Sequence, residues 1–341
     1  MNGQLPGDSL QMRALYILGE GGYGRIYGPR ERADIAGLVD VYAELQTPES
    51  IAAAPEVLAP AEVMLSGWGA PRLDSAFLEA APNLKLVLYG AGSLRRVVTE
   101  AFWASGIPIS SAAAANADFT GDFACAQILM GLKGAWRYAL RLREQGVWSR
   151  EPVAAGLYGS VVGLVSLGLV AQRVARLLQR HDLKVIAWDP WVDRAVAERM
   201  GVTLMESLDE VFREADVVSL HTPLLDETRG LIGGAQLRAM KPAAVFINTA
   251  RGALVREAEL VQVLRERPDL YALLDVTSPE PPPPESPLRA LPNVVLTPHI
   301  AGAQGRECRR LGRSMVDELR RFLRGEPLQH VLTRAGYARM A

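Results

Sequence analysis

The sequence is poor in cysteine, with only Cys125 and Cys308 among 341 residues. The two lie far apart and neither has the spacing of a metal ligand, so a disulfide framework and a zinc site are both disfavoured. We therefore expect no metal ion and a reducing, cytoplasmic compartment.

Long apolar runs and an excess of one charge are also missing. No apolar stretch reaches the length of a membrane span, and residues 1–11 lack the apolar core of a signal peptide. We expect that leader to be disordered. The formal net charge of −1, from 37 basic and 38 acidic residues, gives no electrostatic reason to expect nucleic acid or a membrane surface as partner.

The chain does contain a regular alternation of short apolar runs and helical patterns. Its length exceeds what one hydrophobic core usually organises, so two domains are expected. The alternation predicts two parallel α/β sheets, a small one and a six-stranded, doubly wound one that starts at Ser160. The predicted strands are 14–18, 39–42, 63–65, 84–88 and 107–109, then 161–165, 184–188, 217–220, 244–247, 271–276 and 294–297. One long helix over 118–145 is predicted to bridge the domains, and a helix over 306–323 to return to the first.

Three polar residues near the end of the chain each follow a predicted strand. Arg251 lies in Asn248-Thr249-Ala250-Arg251-Gly252, Glu280 in a proline-rich loop, and His299 in Thr297-Pro298-His299. Because the carboxyl ends of parallel strands meet at one edge, where ligands bind, we expect these residues to converge. A cation, a carboxylate and an imidazole together can hold an anionic carbonyl substrate and move a proton.

Two segments compete as dinucleotide fingerprints. Gly19-Glu20-Gly21-Gly22-Tyr23-Gly24 matches the pattern formally, but Gly28 and Pro29 would interrupt the helix that must follow. We therefore interpret it as a flexible glycine loop near the substrate.

The second segment, residues 165–171, has Ser166 where the first glycine is expected but stands in a better context. A strand precedes it and an uninterrupted helix follows, with Asp189 at the end of the next strand. An acidic residue there accepts hydrogen bonds from the ribose hydroxyls and repels a 2′-phosphate, which favours NAD over NADP. Gly168 remains where the backbone must approach the pyrophosphate. We expect Ser166 to be tolerated with a negative φ, its hydroxyl capping the turn.

Several motifs in sequence order resemble the D-isomer-specific 2-hydroxyacid dehydrogenases. They keep the order and spacing of that family across residues 84–302, while the similarity before Leu84 is general. The matching segments are Val162-Gly163-Leu164-Val165-Ser166-Leu167-Gly168, Ala215-Asp216-Val217-Val218-Ser219-Leu220-His221-Thr222-Pro223, Phe246-Ile247-Asn248-Thr249-Ala250-Arg251-Gly252, Leu274-Asp275-Val276 and Thr297-Pro298-His299.

The resemblance implies two Rossmann-like or flavodoxin-like parallel-sheet domains separated by a cleft. Residues 12–114 plus 305–341 would form a flavodoxin-like substrate-binding domain, and residues 115–304 an NAD-binding Rossmann domain. It also implies NAD as cofactor, a small 2-oxo or 2-hydroxy acid as substrate, and a homodimer in which an arm around residues 144–157 crosses the interface.

The resemblance assigns roles to individual residues. Arg251 would clamp the substrate, His299 would exchange a proton with its carbonyl oxygen, and Glu280 would pair with His299 and stabilise its imidazolium form. Backbone N–H groups of Ala91 and Gly92 would bind the substrate carboxylate, and Asp275 would contact the nicotinamide carboxamide. The implied cofactor-binding set is Ser166, Gly168, Leu169, Val170, Asp189, Pro190, His221, Thr222, Pro223, Thr228, Thr249, Ala250, Arg251, Asp275, His299 and Ala301.

The chain departs from the family pattern in the loop after residue 92. Leu94, Arg95 and Arg96 stand where an aspartate is usual, which hints at an unusual substrate, and Asp122 replaces a usual glutamate. Two other functions stay open: an NADH-binding regulatory, corepressor-like protein, and a phosphite-type dehydrogenase. Glu280 argues against formate as substrate, because formate enzymes of the family typically lack this partner of the histidine.

Overall fold

The computed structural model describes residues 11–148 and 154–340. The leader up to residue 10 and residues 149–153 of the expected arm lie outside the described residues. The chain forms two compact units: one runs to Asn116 and resumes at Ala303–Met340, and the other is Ala117–Gly302. Each is built on a parallel sheet, which confirms the expectation of two parallel-sheet α/β domains.

The first unit contains a five-stranded sheet in the order β2-β1-β3-β4-β5. The strands are β1 (Arg13–Ile17), β2 (Asp40–Val41), β3 (Val63–Ser66), β4 (Leu86–Tyr89) and β5 (Ile109–Ser111). The helices between them are α1 (Glu20–Ile26), α2 (Pro29–Ala36), α3 (Pro48–Ala53), α4 (Ser75–Ala80) and α5 (Glu100–Ser105), with a 3-10 turn at Pro55–Leu58. Helices α3, α4 and α5 each begin with an N-cap residue whose side chain accepts a hydrogen bond from a backbone N–H of the first turn. These N-cap residues are Thr47, Asp74 and Thr99.

The glycine-rich segment after β1 is a helix and not the flexible loop we expected. Gly19 precedes α1, and the remaining glycines lie within it. The helix ends at Ile26, and Gly28 caps α2 with Pro29 at its first position, so the predicted interruption is present. Close packing favours the helix, since a Cβ on Gly22 would lie only 2.8 Å from the carbonyl oxygen of Trp68.

The second unit contains a seven-stranded sheet in the order β12-β11-β10-β9-β6-β7-β8. Its strands are β6 (Val161–Val165), β7 (Lys184–Trp188), β8 (Val202–Leu204), β9 (Val217–Leu220), β10 (Val245–Asn248), β11 (Tyr271–Leu274) and β12 (Val294–Leu296). Its helices are α6 (Ala113–Leu132, which begins in the first unit), α7 (Ala135–Gln145), α8 (Leu169–Leu178), α9 (Arg194–Arg199), α10 (Leu208–Glu214), α11 (Gly234–Arg238) and α12 (Glu257–Glu266). Separate apolar clusters cover the two faces, one with residues of α10, α11 and α12 and one with residues of α6, α8 and α9.

Two predictions for this unit were wrong in detail. The single helix expected over 118–145 is two helices, because Gly134 adopts a left-handed φ of 65° between α6 and α7. The sheet has a seventh strand, β8, whose three residues are too few to give a periodic signal.

The chain then returns to the first unit through α13 (Cys308–Leu323) and ends its described part with α14 (Arg334–Ala338). A 3-10 turn at Gly305–Glu307 precedes α13, within the range predicted as helix. Arg313 on α13 forms ion pairs with Glu31 and Asp34 on α2. Among the described residues, no helix combines the length and the apolarity needed to cross a membrane.

Candidate active site

Arg251, Glu280 and His299 follow three strands that are neighbours in the sheet. The order β12-β11-β10 places the loops after these strands side by side at the carboxyl edge. Fold topology therefore brings the three residues together, as the sequence predicted.

The loop that carries Arg251 is held by its own sequence. The Asn248 side chain accepts a hydrogen bond from the Ala250 N–H and donates one to the Arg251 carbonyl, at 3.0 Å each. A Cβ on Gly252 would lie 2.0 Å from the carbonyl carbon of Thr277, so only glycine lets this loop touch the loop that leads to Glu280. Asn248 and Gly252 thus position Arg251 beside Glu280.

Arg251 is half-buried, and its guanidinium has one hydrogen-bond partner among the described residues. Its Nη1 donates to the carbonyl oxygen of Ala250 at 2.6 Å. Burial lowers the pKa of the guanidinium, and the nearby carboxylate of Glu280 acts in the opposite direction. Nε and Nη2 have no hydrogen-bond partner in the part of the chain that the structure describes, so paired donors are available for an anion.

Glu280 and His299 form a close pair. Nδ1 of His299 lies 2.5 Å from Oε1 of Glu280, with the two side chains 47% and 39% exposed. Because a carboxylate can only accept a hydrogen bond, Nδ1 of His299 carries a proton in this pair. The other nitrogen, Nε2, is left to face a reacting group.

Asp275 fixes the turn that carries His299. Its buried carboxylate accepts hydrogen bonds from the Thr297 hydroxyl, the Ile300 N–H and the Ala301 N–H, at 2.5, 2.9 and 2.8 Å. Its carbonyl oxygen accepts the His299 N–H at 2.9 Å. His299 itself adopts a left-handed φ of 54°, a conformation that non-glycine residues keep only where surrounding contacts hold it. From the sequence we expected Asp275 to contact the cofactor, and we did not predict that it positions this turn. The spacing of residues in the sequence does not reveal these hydrogen bonds.

The second fingerprint differs from expectation at Ser166. Its φ is 70°, in the left-handed region, where we expected a negative value. The conformation is held by the Ser166 N–H, which donates to the carbonyl oxygen of Trp188 at 2.8 Å. The hydroxyl bonds to Oγ1 of Thr222 at 3.0 Å and does not cap the turn.

Gly168 leads into α8 as the fingerprint requires. It is the N-cap of this ten-residue helix, no side chain caps it, and no atom lies within 4 Å of an added Cβ. Leu169 beside it is 55% exposed, and Val170 is half-buried. Asp189 accepts the Leu167 and Trp191 N–H groups at 2.8 Å each, which turns its carboxylate toward this loop. An open, uncapped helix N-terminus beside a carboxylate suits a pyrophosphate and a ribose.

Unpartnered polar atoms lie at the carboxyl ends of β9 and β10. Both ring nitrogens of His221 and Oγ1 of Thr249 are buried without a hydrogen-bond partner among the described residues. The register of these strands continues to place the two residues side by side. Buried polar groups normally have partners, so these atoms fit a site that a polar cofactor completes. Burial also lowers the pKa of His221 to about 4, which keeps the ring neutral.

Other predicted site residues lie in the loops around this edge. Thr228 closes its loop by donating to Pro223 O at 2.6 Å and accepting the Leu225 N–H at 2.8 Å. Ala250 and Ala301 are buried, and Pro190 is exposed. The described residues contain no cluster of three or more His, Cys, Asp or Glu that could hold a metal.

Ala91 and Gly92 belong to the first unit, after β4. The Ala91 N–H already donates to the carbonyl oxygen of Tyr89 at 2.8 Å. The Gly92 N–H has no partner within residues 11–148 and 154–340, which makes Gly92 the better placed of the two expected carboxylate donors.

The part of the chain that contains this sheet matches a known protein family. Residues 125–301 match the family described as D-isomer specific 2-hydroxyacid dehydrogenase, NAD binding domain. The chain belongs to this family. It is 32% identical over 260 residues to a D-3-phosphoglycerate dehydrogenase of Methanocaldococcus jannaschii, covering 75% of this chain and 48% of that protein. The chain thus spans about half the length of this relative.

Two further comparisons cover most of both proteins. A glyoxylate reductase of Aeropyrum pernix is 31% identical over 271 residues, with 77% of this chain and 80% of that protein covered. The apo D-mandelate dehydrogenase of Rhodotorula graminis matches in fold, with a TM-score of 0.80 at 23% identity over 95% of this chain and 98% of that one.

Gly168→Ala tests which glycine motif binds the dinucleotide. The added Cβ has room in the protein but would occupy the space that a pyrophosphate needs, so we expect an unchanged melting temperature and NADH affinity roughly tenfold weaker, measured by calorimetry. Gly21→Ala is the matched control, because Gly21 holds the same place in the first motif and also has no atom near an added Cβ. Loss of NADH binding in Gly21→Ala with normal binding in Gly168→Ala would reverse the assignment.

Because the pKa of His221 is lowered in the folded chain, we expect the stability of the fold to decrease in acid. Its pKa of about 4 in the folded chain lies below the unfolded value, so the unfolded chain binds more protons between the two. The free energy of unfolding should therefore fall as pH decreases from about 6.5 to about 4, by at most about 3 kcal/mol from this group. Urea unfolding of His221→Gln without cofactor should show a flatter pH profile in this window. An identical profile would contradict the prediction.

Proposed function

We propose that the protein reduces a small 2-oxo acid to the D-2-hydroxy acid with NADH, and catalyses the reverse oxidation. The 2.5 Å contact between His299 and Glu280, beside the free guanidinium donors of Arg251, carries this proposal. It joins an anion clamp to a proton donor at one sheet edge, which is what a carboxylate next to a carbonyl requires.

Each residue has a task in the reduction. Arg251 binds the substrate carboxylate through Nε and Nη2. NADH, when bound, supplies the hydride that the carbonyl carbon accepts. His299 donates a proton from Nε2 to the carbonyl oxygen, so that C=O becomes CH–OH, and in the oxidation it takes the proton back. Glu280 accepts a hydrogen bond from Nδ1–H of His299 and orients the ring.

The cofactor preference follows from Asp189. A carboxylate at the end of β7 accepts hydrogen bonds from ribose hydroxyls and repels a 2′-phosphate. We infer NADH rather than NADPH as the donor. His221, Thr249 and the α8 N-terminus would hold the remaining polar groups of the dinucleotide.

We also infer a homodimer in a reducing cytoplasmic compartment. Trp148 and Tyr158 are 75% and 87% exposed near the ends of the expected dimer arm, more than large aromatic side chains usually are. Both cysteines are free and buried. Because one relative is a glyoxylate reductase, glyoxylate is a suitable first probe, alongside hydroxypyruvate and larger 2-oxo acids.

His299→Gln and Glu280→Gln test the acid–base pair. Positioned proton transfer contributes about 10²- to 10⁴-fold, so kcat of His299→Gln should fall by roughly that factor while the variant still binds NADH. Glu280→Gln keeps the imidazole and should lose less. Both are measured by NADH absorbance on a panel of 2-oxo acids.

Glu285→Gln is the matched control, because Glu285 is an exposed glutamate of the same proline-rich loop. It should retain wild-type kcat. Near-normal turnover of His299→Gln would refute the assigned role. Tight NADH binding by the wild type without turnover of any 2-oxo acid would favour the regulatory alternative, and turnover of phosphite alone would favour the phosphite-type dehydrogenase.

A further inference from the structure

The last described segment, Gln329–Met340, forms a strap along the first unit. It lies against β5, the edge strand of the five-stranded sheet. Val331 forms an antiparallel bridge with Ser110. The Ser111 N–H donates to His330 O at 3.1 Å, and the Leu332 N–H donates to Ile109 O at 2.8 Å. The strap thus extends the sheet by a short sixth segment and covers its edge.

A buried carboxylate anchors one end of the strap, and partly buried side chains anchor the other. Glu318 on α13 is fully buried and accepts the Gln329 and His330 N–H groups at 3.0 Å each. In α14 the Tyr337 ring packs edge-on against Trp103, with ring centroids 5.4 Å apart. Met340 packs on the core of the unit as well. These contacts fix the strap as an ordered element.

The strap is joined to the loop after β4, which we name the substrate loop (Gly90–Arg96). Arg95 of this loop donates from Nε to Met340 O at 3.0 Å, and from Nη2 to Ala338 O and Met340 O at 3.0 and 2.8 Å. Its guanidinium also lies over the Tyr337 ring, 5.0 Å from the centroid. One side chain therefore caps the C-terminal end of α14 and stacks on it.

A second connection runs through Ser111. Its backbone N–H is held by the strap, and its hydroxyl lies 3.0 Å from the carbonyl oxygens of both Ala91 and Gly92. The hydroxyl therefore orients the peptide groups that include the free Gly92 N–H. Both ends of the substrate loop are thus tied to the strap, one directly and one through β5.

We propose that the strap is a positioning element for substrate binding, and that Arg95 is the positioning residue that couples it to the Gly92 N–H. This rests on the proposed function and on the expectation that the Gly92 N–H also binds the substrate carboxylate. Arg95 forms no ion pair with an acidic side chain among the described residues, and its side chain donates to carbonyl oxygens of the strap. The unusual Leu94-Arg95 pair then has a physical reason: Leu94 is fully buried under the loop, and Arg95 clamps the strap.

Arg95→Ala tests the coupling, with Arg96→Ala as matched control because Arg96 is the exposed neighbour of the same charge. Losing these bonds should free the loop, so we expect KM for glyoxylate to rise roughly tenfold, the effect of one or two hydrogen bonds, with kcat within about twofold. The NADH dissociation constant should stay at its wild-type value. Amide hydrogen exchange should accelerate in residues 91–97 of Arg95→Ala and remain at the wild-type rate in Arg96→Ala.

Two further variants separate positioning from folding. Arg95→Lys keeps the charge but lacks the planar fork through which Nε and Nη2 bond these carbonyls, so its KM should lie between those of wild type and Arg95→Ala. Tyr337→Ala removes the stacking from the strap side and should raise KM and loop exchange in the same direction. Wild-type KM and wild-type exchange in folded Arg95→Lys and Tyr337→Ala would overturn the proposal.

The exchange readout does not depend on the reaction. If the wild type turns over no 2-oxo acid, the proposed function fails, and the coupling of strap to loop is still decided by exchange in residues 91–97. If turnover is normal and Arg95→Ala changes neither KM nor exchange, the function stands and the positioning role fails.

Discussion

The site depends on one buried carboxylate. Asp275 accepts three hydrogen bonds from the turn after β12, and its main-chain carbonyl accepts the N–H of His299. Without those bonds the left-handed φ of His299 would be unfavourable. With them, Nδ1 faces Glu280 and Nε2 has no partner among the described residues, so a buried group at the end of β11 orients the imidazole.

Loops at neighbouring strand ends also place other groups of the sheet edge close together. Gly252 allows the β10 and β11 loops to touch, which puts Arg251 next to Glu280. On the other side of the switch between β9 and β6, the open start of α8 and the Asp189 carboxylate offer a site for a dinucleotide. Hydrogen-bonded loops on the parallel sheet therefore place the Arg251, Glu280 and His299 trio and the N-terminus of α8 along one edge.

The sequence allowed the strands and the trio of polar residues to be predicted because buried parallel strands are continuous apolar runs that end abruptly. It could not reveal features that depend on contacts made far along the chain. The positive φ of Ser166 depends on Trp188 and Thr222, and the task of Asp275 depends on a turn more than twenty residues away. The break at Gly134 and the short β8 left no periodic signal. The loop around Arg95 hinted at an unusual substrate, but its bonds to Ala338 and Met340 join distant parts of the chain and leave no sequence signal.

We propose that the residues of this edge direct hydride from NADH to one face of C2 of a 2-oxo acid, with a proton from His299 going to the carbonyl oxygen. The most direct test uses NADH deuterated at C4 of the nicotinamide, on the side that the enzyme transfers, with hydroxypyruvate or the best substrate of the panel that gives a chiral product. Chiral chromatography with mass spectrometry should find the D-2-hydroxy acid carrying deuterium at C2. An L product, or a D product without deuterium from either C4-labelled NADH, would contradict the account.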